Sequence, residues 1–140
     1  MEGKEEKNKI AFNIDSIELI SRNIGKAPIK KFGKADFLYD VGLEIKIDGK
    51  EKKSTHTINI SIRDNNEELG NISVACTYVI YNFEIFIVKE KGKTLLADNV
   101  IDLLNTISIG TTRGVAFSEF RGSFLEDAIL PILDLKGFQQ

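Results

Sequence analysis

Three stretches of the chain alternate between apolar and polar residues, which is the period of a β-strand with one buried face, and the first of them does so strictly. Apolar side chains take the odd positions of residues 36–48 and the even positions of residues 54–63 and 71–81. Because one face is apolar and the other polar, we expect antiparallel strands that are packed on one side and solvated on the other. Asp48 and Gly49 predict the turn between the first two.

Residues 11–24 are a further predicted strand, but the alternation slips by one position within it. Phe12 and Ile14 share one parity, whereas Ile17 and Leu19 share the other. An extra residue on one strand of a pair shifts the parity in this way, so the pattern predicts a β-bulge between Ile14 and Ile17.

Residues 99–121 are the long helical candidate, because apolar side chains recur there at three- and four-residue steps without an intervening proline. In the middle of this segment Gly110, Gly114 and Ser118 follow one another at intervals of four. Two glycines cost an exposed helix about 2 kcal/mol relative to alanine, so a compensating contact is expected. Either a second backbone approaches closely along this face, or the glycines mark a kink.

Two other segments are apolar where a polar face or a polar loop would be the default. Residues 83–88 (FEIFIV) are apolar on both parities, which predicts a strand covered on both faces or a bent strand. Residues 124–132 carry five large apolar side chains in a predicted loop. Such segments must cover each other or receive a ligand, and the sequence leaves both alternatives open.

Composition restricts the class of protein. A length of 140 residues suits one domain, which we place over 10–140; residues 1–9 are charged, Gly or Asn apart from Met1, and predict a disordered tail. The net charge of −2 provides no field that would attract nucleic acid or an anionic membrane. The charged N-terminus and the lack of a long apolar run lead us to expect a cytoplasmic protein without a membrane span.

The sequence offers few residues for catalysis. His56 is the one histidine and shares the apolar face of its strand, so we interpret it as a buried imidazole with a local hydrogen bond rather than a general base. Cys76 is the one cysteine; it alternates with Val74 and Tyr78 and is interpreted as a small buried hydrophobe. We therefore expect no metal site, no cofactor and no enzymatic activity.

The end of the predicted helix carries a family resemblance. Residues 121–125 (RGSFL) and 129–132 (ILPI) resemble the end of SecB-family chaperones, in which a long helix closes with an Arg-Gly-Thr/Ser-Phe step before an apolar loop that contains proline. The upstream order of a bulged first strand, alternating strands and a long helix is similar too. The resemblance covers residues 10–140.

This resemblance implies an α+β fold, in which a four-stranded antiparallel sheet carries one long helix and a short C-terminal helix on one face. It also implies a homotetramer, a dimer of dimers with the long helices at its centre. The predicted oligomer interface is the small-residue face of the helix, which comprises Gly110, Thr111, Gly114, Phe117 and Ser118.

SecB proteins bind unfolded or partly folded polypeptides in apolar grooves without ATP, so the resemblance implies a chaperone for preproteins or for the antitoxin of a toxin–antitoxin system. The predicted peptide-binding residues, expected to line a groove open to water, are Phe83, Ile85, Phe86, Phe124, Leu125, Leu130 and Ile132. Export chaperones of the family dock the Sec translocase motor through acidic residues, but the corresponding residues 21–25 and 75–77 are not acidic here.

A second hypothesis fits the same resemblance. The chain would then be a non-catalytic assembly module of SecB-like fold that binds one fixed protein partner. The two hypotheses differ in the apolar surface that the folded chain leaves open, because a chaperone needs a continuous exposed groove and an assembly module buries it in a stable interface.

Overall fold

A computed structural model describes residues 9–28, 33–65 and 67–133 of the chain. The predicted tail over 1–9 lies outside the described residues apart from Lys9, whose carbonyl oxygen accepts a hydrogen bond from the Asn82 side chain. Residues 134–140, on which the predicted short C-terminal helix falls, lie outside them as well.

Strands and helices follow one another in a simple order. The strands are β1 (Phe12–Ile24), β2 (Leu38–Asp48), β3 (Lys53–Arg63), β4 (Glu68–Ile80), β5 (Ile87–Glu90) and β6 (Lys93–Leu96). The helices are the single turn α1 (Phe83–Phe86) and the long α2 (Asp98–Glu119), and a 3₁₀ turn at Lys34–Asp36 precedes β2.

The first four strands form one antiparallel sheet in the order β1-β4-β3-β2, so β1 and β2 are its edges. The predicted α+β class, with a four-stranded antiparallel sheet and a long helix, is confirmed. Strands β5 and β6 pair separately as a short hairpin, which the sequence analysis did not predict. The helix α2 runs unbroken past Gly110 and Gly114, so the glycines do not divide it into two helices.

The ladder between β1 and β4 shifts its register twice. The first shift lies between Ile14 and Ser16 and confirms the predicted bulge. The second lies between Leu19 and Ser21 and was not predicted, because Leu19 and Ile20 are both apolar and the change of parity is hidden in the sequence.

The core lies between the sheet and α2. On the helix side, β3 and β4 bury their alternate residues almost completely: His56, Ile58, Ile60, Ile62, Ile72, Val74, Cys76, Tyr78 and Ile80. The corresponding side chains of β2 are half-buried, and those of β1 are largely exposed. Helix α2 therefore covers the two central strands and leaves both edges of this face partly open.

Gly70 in β4 marks the point where the chain after α2 meets the sheet. A Cβ atom built at Gly70 would lie 2.6 Å from Leu125 Cδ1 and 2.8 Å from the Asn23 carbonyl oxygen. Both distances are below van der Waals contact, so the lack of a side chain at Gly70 is what lets Leu125 pack fully into the core.

We expect Gly70→Ala to destabilise the protein by about 1–3 kcal/mol, because the added methyl group forces Leu125 or the β1 backbone to move. Unfolding in urea measures the change. Gly42→Ala is the matched control, since its new Cβ would lie 3.7 Å from the nearest atom, Asn59 Cβ, and it should leave stability unchanged or slightly raised. Equal unfolding midpoints for the two variants would contradict the packing role of Gly70.

Candidate functional site

The first apolar segment is a turn of helix followed by a strand, so the predicted strand over residues 83–88 is wrong. Phe83 and Phe86 are three residues apart on α1, which places both rings on the same side of the turn, facing the core. Ile85 points away from the core and is 56% exposed. The segment is apolar on both parities because its buried residues follow the helical period. The end of α1 is then tied to the residue that follows β6, through a hydrogen bond from Ala97 N to Phe86 O.

The second apolar segment, residues 124–132, lies within the stretch 122–133, which is here called the exit segment. It is a series of turns and extended backbone. Gly122 has φ of +79°, the left-handed conformation expected just after a helix. The Ser123 hydroxyl donates to the Phe120 carbonyl oxygen and accepts from Leu125 N, at 2.6 and 3.1 Å. These bonds reverse the chain so that Leu125 can enter the core.

The predicted peptide-binding residues fall into two groups. Phe83, Phe86, Leu125 and Leu130 belong to the buried core, so the expectation that they lie open to water is wrong for the single chain. Phe124 is half-buried, and Ile85 and Ile132 are exposed, Ile132 to 92%. The buried residues of both apolar segments belong to the one common core and not to a separate cluster of their own. The peptide-binding role of all seven residues remains a prediction.

An apolar stripe on β2 was missed as candidate surface. Its residues on the helix side are half-buried and contact the edge of the core: Tyr39, Val41, Leu43, Ile45 and Ile47. Tyr39 at one end of the stripe is partly withdrawn from water, and this burial raises the pKa of its phenol. The strict alternation of β2 identifies this face in the sequence, but only the strand order shows that it lies at an edge beyond the reach of α2.

The predicted interface face of α2 turns away from the sheet. Gly110, Gly114, Phe117 and Ser118 are exposed and Thr111 is half-buried. A Cβ atom built at Gly114 would meet nothing within 4 Å. Within the single chain, no described residue packs against this face closely enough to require small side chains there.

The edge strand β1 adds a second open apolar surface. Ile14, Ile17 and Leu19 pair with residues of β4 that face α2, so they lie on the helix side of the sheet. They are nevertheless 47%, 50% and 41% exposed. Arg22 near the end of this strand contacts the end of α2, through an ion pair of 3.4 Å with the Glu119 carboxylate and a hydrogen bond of 3.3 Å to the Glu119 carbonyl oxygen.

Polar side chains are buried between the sheet and α2. His56 Nδ1 lies 2.7 Å from Asn105 Oδ1, and His56 Nε2 lies 2.8 Å from Ser54 Oγ. Because an amide oxygen only accepts, Nδ1 carries the proton and Nε2 accepts from the serine hydroxyl. One helical turn further on, Tyr78 Oη lies 2.7 Å from Ser108 Oγ.

These contacts confirm the structural interpretation of His56 and Cys76. Burial lowers the pKa of His56, opposed by the hydrogen bond to Asn105. Burial raises the pKa of the Cys76 thiol, opposed by its contacts with Ser108 and Tyr78. This direction is opposite to the shift that activates a nucleophilic thiol. Asn105 Nδ2 is buried without a hydrogen-bond partner among the described residues.

Over residues 9–28, 33–65 and 67–133, no three His, Cys, Asp or Glu side chains come together in an arrangement suited to a metal ion. Within the same ranges, none of the helices has the length and apolar character needed to span a membrane.

Comparison with known proteins gives a result at the level of structure. No family model matches the chain, and no curated protein matches it by sequence. Its fold is similar to that of a SecB-like chaperone from Mycobacterium tuberculosis, solved in complex with a ChAD peptide from the HigA1 antitoxin. The TM-score is 0.57 and the sequence identity 14%, and the match covers 88% of this chain and 90% of the other. The predicted SecB-like fold is confirmed.

The buried His56 predicts a pH dependence of stability. Its folded-state pKa lies below the unfolded value of 6.5, so the unfolded chain takes up the proton first. The free energy of unfolding should be constant above about pH 7 and fall below pH 6.5, by at most about 1.4 kcal/mol per pH unit. Urea unfolding between pH 7.5 and 5.5 measures the slope. Since His56 is the one histidine, the slope should vanish in His56→Gln; an equal slope in that variant would exclude this origin.

Proposed function

We propose that the chain is a chaperone that binds unfolded or partly folded polypeptides without ATP. The observation that carries the proposal is the fold shared with a SecB-like chaperone that was solved with an antitoxin peptide bound. The surface supports it, because large apolar side chains that would be covered in an isolated globular domain stand open: Ile85, Ile129 and Ile132 among them.

The proposed client surface combines the exit segment with the stripe on β2. Ile132 and half-buried Phe124 are the exposed anchors on the exit segment, and Ile85 is the anchor on α1. The other four predicted contact residues are buried and would reach a client only if the chain around them moved: Phe83, Phe86, Leu125 and Leu130. Apolar anchors of this kind hold an extended chain by burying side-chain area, so they tolerate many sequences.

An antitoxin segment is the client to test first, by analogy with the peptide in the similar structure. Preproteins are the second class. For delivery to the Sec translocase motor the described residues offer less support, since Ser21–Gly25 and Ala75–Thr77 contain no carboxylate.

One observation favours the alternative of an assembly module. Four of the seven predicted contact residues are buried within the chain, which leaves less open surface than a broad-specificity groove would have. A module of this kind would bind one partner tightly and ignore unrelated polypeptides.

We also propose that the chain assembles as a dimer of dimers through α2 and β1. The exposed face with Gly110, Gly114 and Phe117 allows close approach of a second helix, and the open isoleucines of β1 lie on the same side of the sheet. Two symmetric interfaces, one on each surface, would build a dimer of dimers and would cover apolar side chains that the isolated chain leaves exposed.

The function is tested by asking whether the purified protein suppresses aggregation of an unrelated unfolded polypeptide. Ile85→Ser combined with Ile132→Ser should weaken client binding about tenfold or more, because two apolar anchors are lost, with little change in melting temperature. Leu38→Ser is the matched control, an exposed apolar residue at the start of β2 on the opposite parity to Tyr39. Binding of one cognate antitoxin but no unrelated polypeptide would favour the assembly module instead.

The assembly is tested by Gly114→Leu. Leucine should push the helices of two copies apart and lower the mass measured by light scattering. In an exposed helix the same change should stabilise the helix by about 1 kcal/mol. A lower assembly mass without a loss of stability would therefore show that the substitution disrupts the interface and does not unfold the chain. Gly114→Ala adds a single methyl group and should retain most of the assembly. An unchanged mass for Gly114→Leu would rule out this interface.

A further inference from the structure

Beyond residue 128, an arginine side chain holds the main chain of the exit segment to the body of the protein. Ala128 N donates to Leu125 O and Ile129 N donates to Asp127 O, and both bonds stay within the segment. The hydrogen bonds that tie the next residues to the body of the protein come from Arg113 on α2. Its Nε donates to Leu130 O at 2.8 Å, and one of its terminal nitrogens, Nη2, donates to Pro131 O at 3.1 Å.

Arginine is suited to this contact because its guanidinium is a planar fork with several N–H groups in fixed directions. Two consecutive carbonyl groups are bound at once, and Pro131 itself has no N–H that could make a backbone hydrogen bond. Among the described residues, Arg113 has no carboxylate partner, so its donors serve neutral carbonyls. Lysine carries its three donors on a single atom and lacks the fixed fork that spans two carbonyl groups.

The contact determines which side chains of the segment face water. With the carbonyls of Leu130 and Pro131 fixed on the helix, Leu130 is 4% exposed. Its neighbours Ile129 and Ile132 are 39% and 92% exposed. An extended chain without helix or strand pairing would otherwise change these orientations freely.

We infer that Arg113 is a positioning residue for polypeptide capture: it holds the exit segment in the conformation that presents Ile129 and Ile132 to a client. This inference rests on the proposed function. A client that binds a fixed surface need not order it, whereas a loose segment loses conformational entropy on binding. The affinity for clients should therefore depend on Arg113 although Arg113 itself need not contact the client.

The test compares Arg113→Gln, Arg113→Lys and Arg121→Gln in the full chain. Arg121 is exposed and lies between α2 and the exit segment, outside the proposed client surface. Its replacement removes the same charge and leaves the two hydrogen bonds of Arg113 intact. Hydrogen–deuterium exchange of peptides covering 128–133 reports the position of the segment. Fluorescence titration with labelled, reduced and carboxymethylated α-lactalbumin, which stays unfolded, reports client affinity.

We expect Arg113→Gln to speed exchange in 128–133 and to weaken client binding about tenfold, with a melting temperature close to that of the parent protein. Arg113→Lys should give exchange rates and client affinities between those of the parent protein and Arg113→Gln. Arg121→Gln should match the parent in both. If Arg113→Gln fails to fold, the lysine variant carries the comparison, since it keeps the charge and the aliphatic stem.

Three results would overturn the inference. Unchanged exchange in 128–133 would mean that Arg113 does not fix the segment. Faster exchange with unchanged or tighter client binding would mean that the segment is a cover and not a contact surface. If the parent protein binds no unfolded polypeptide, the proposed function fails and the capture role falls with it, while the exchange data still decide whether Arg113 holds the segment.

Discussion

A helix with its side chains is about 10 Å wide, whereas four neighbouring strands span about 14 Å between the outer strand axes. One helix cannot cover such a sheet, and α2 lies over the two central strands. The burial of the inner face follows directly: it is complete on β3 and β4, partial on β2 and slight on β1. The open apolar surface of β1 and β2 is thus a result of the architecture, and each of the two proposed binding surfaces includes one of these uncovered edges.

Polar contacts decide where on the sheet the helix rests. Apolar packing is non-directional and would tolerate a shift of α2 along its axis. The pairs His56–Asn105 and Tyr78–Ser108 are directional and lie one helical turn apart, so a shift by one turn would leave buried donors and acceptors without partners. The unpaired amide nitrogen of Asn105 shows that this arrangement is already not fully satisfied.

The sequence predicts most of the fold because its strands and helix have clear periods. The alternation of β2, β3 and β4, the first bulge of β1 and the extent of α2 were all readable from parity and spacing. Residues 83–88 were misread because four residues of helix are too few to display a 3.6-residue period. The burial of Leu125 could not be predicted either, since it depends on Gly70 and on the backbone reversal at Ser123, which are tertiary features.

The two bulges of β1 also bear on how the protein avoids its own aggregation. An exposed edge strand with isoleucines is a template for further strands, and the proposed capture of unfolded chains would bring that hazard close continually. The register shifts divide β1 into uninterrupted runs of three, four and four residues, namely 12–14, 16–19 and 21–24. An incoming strand would find no long regular edge on which to pair, so the apolar side chains of β1 remain available while its backbone resists the growth of a continuous intermolecular sheet.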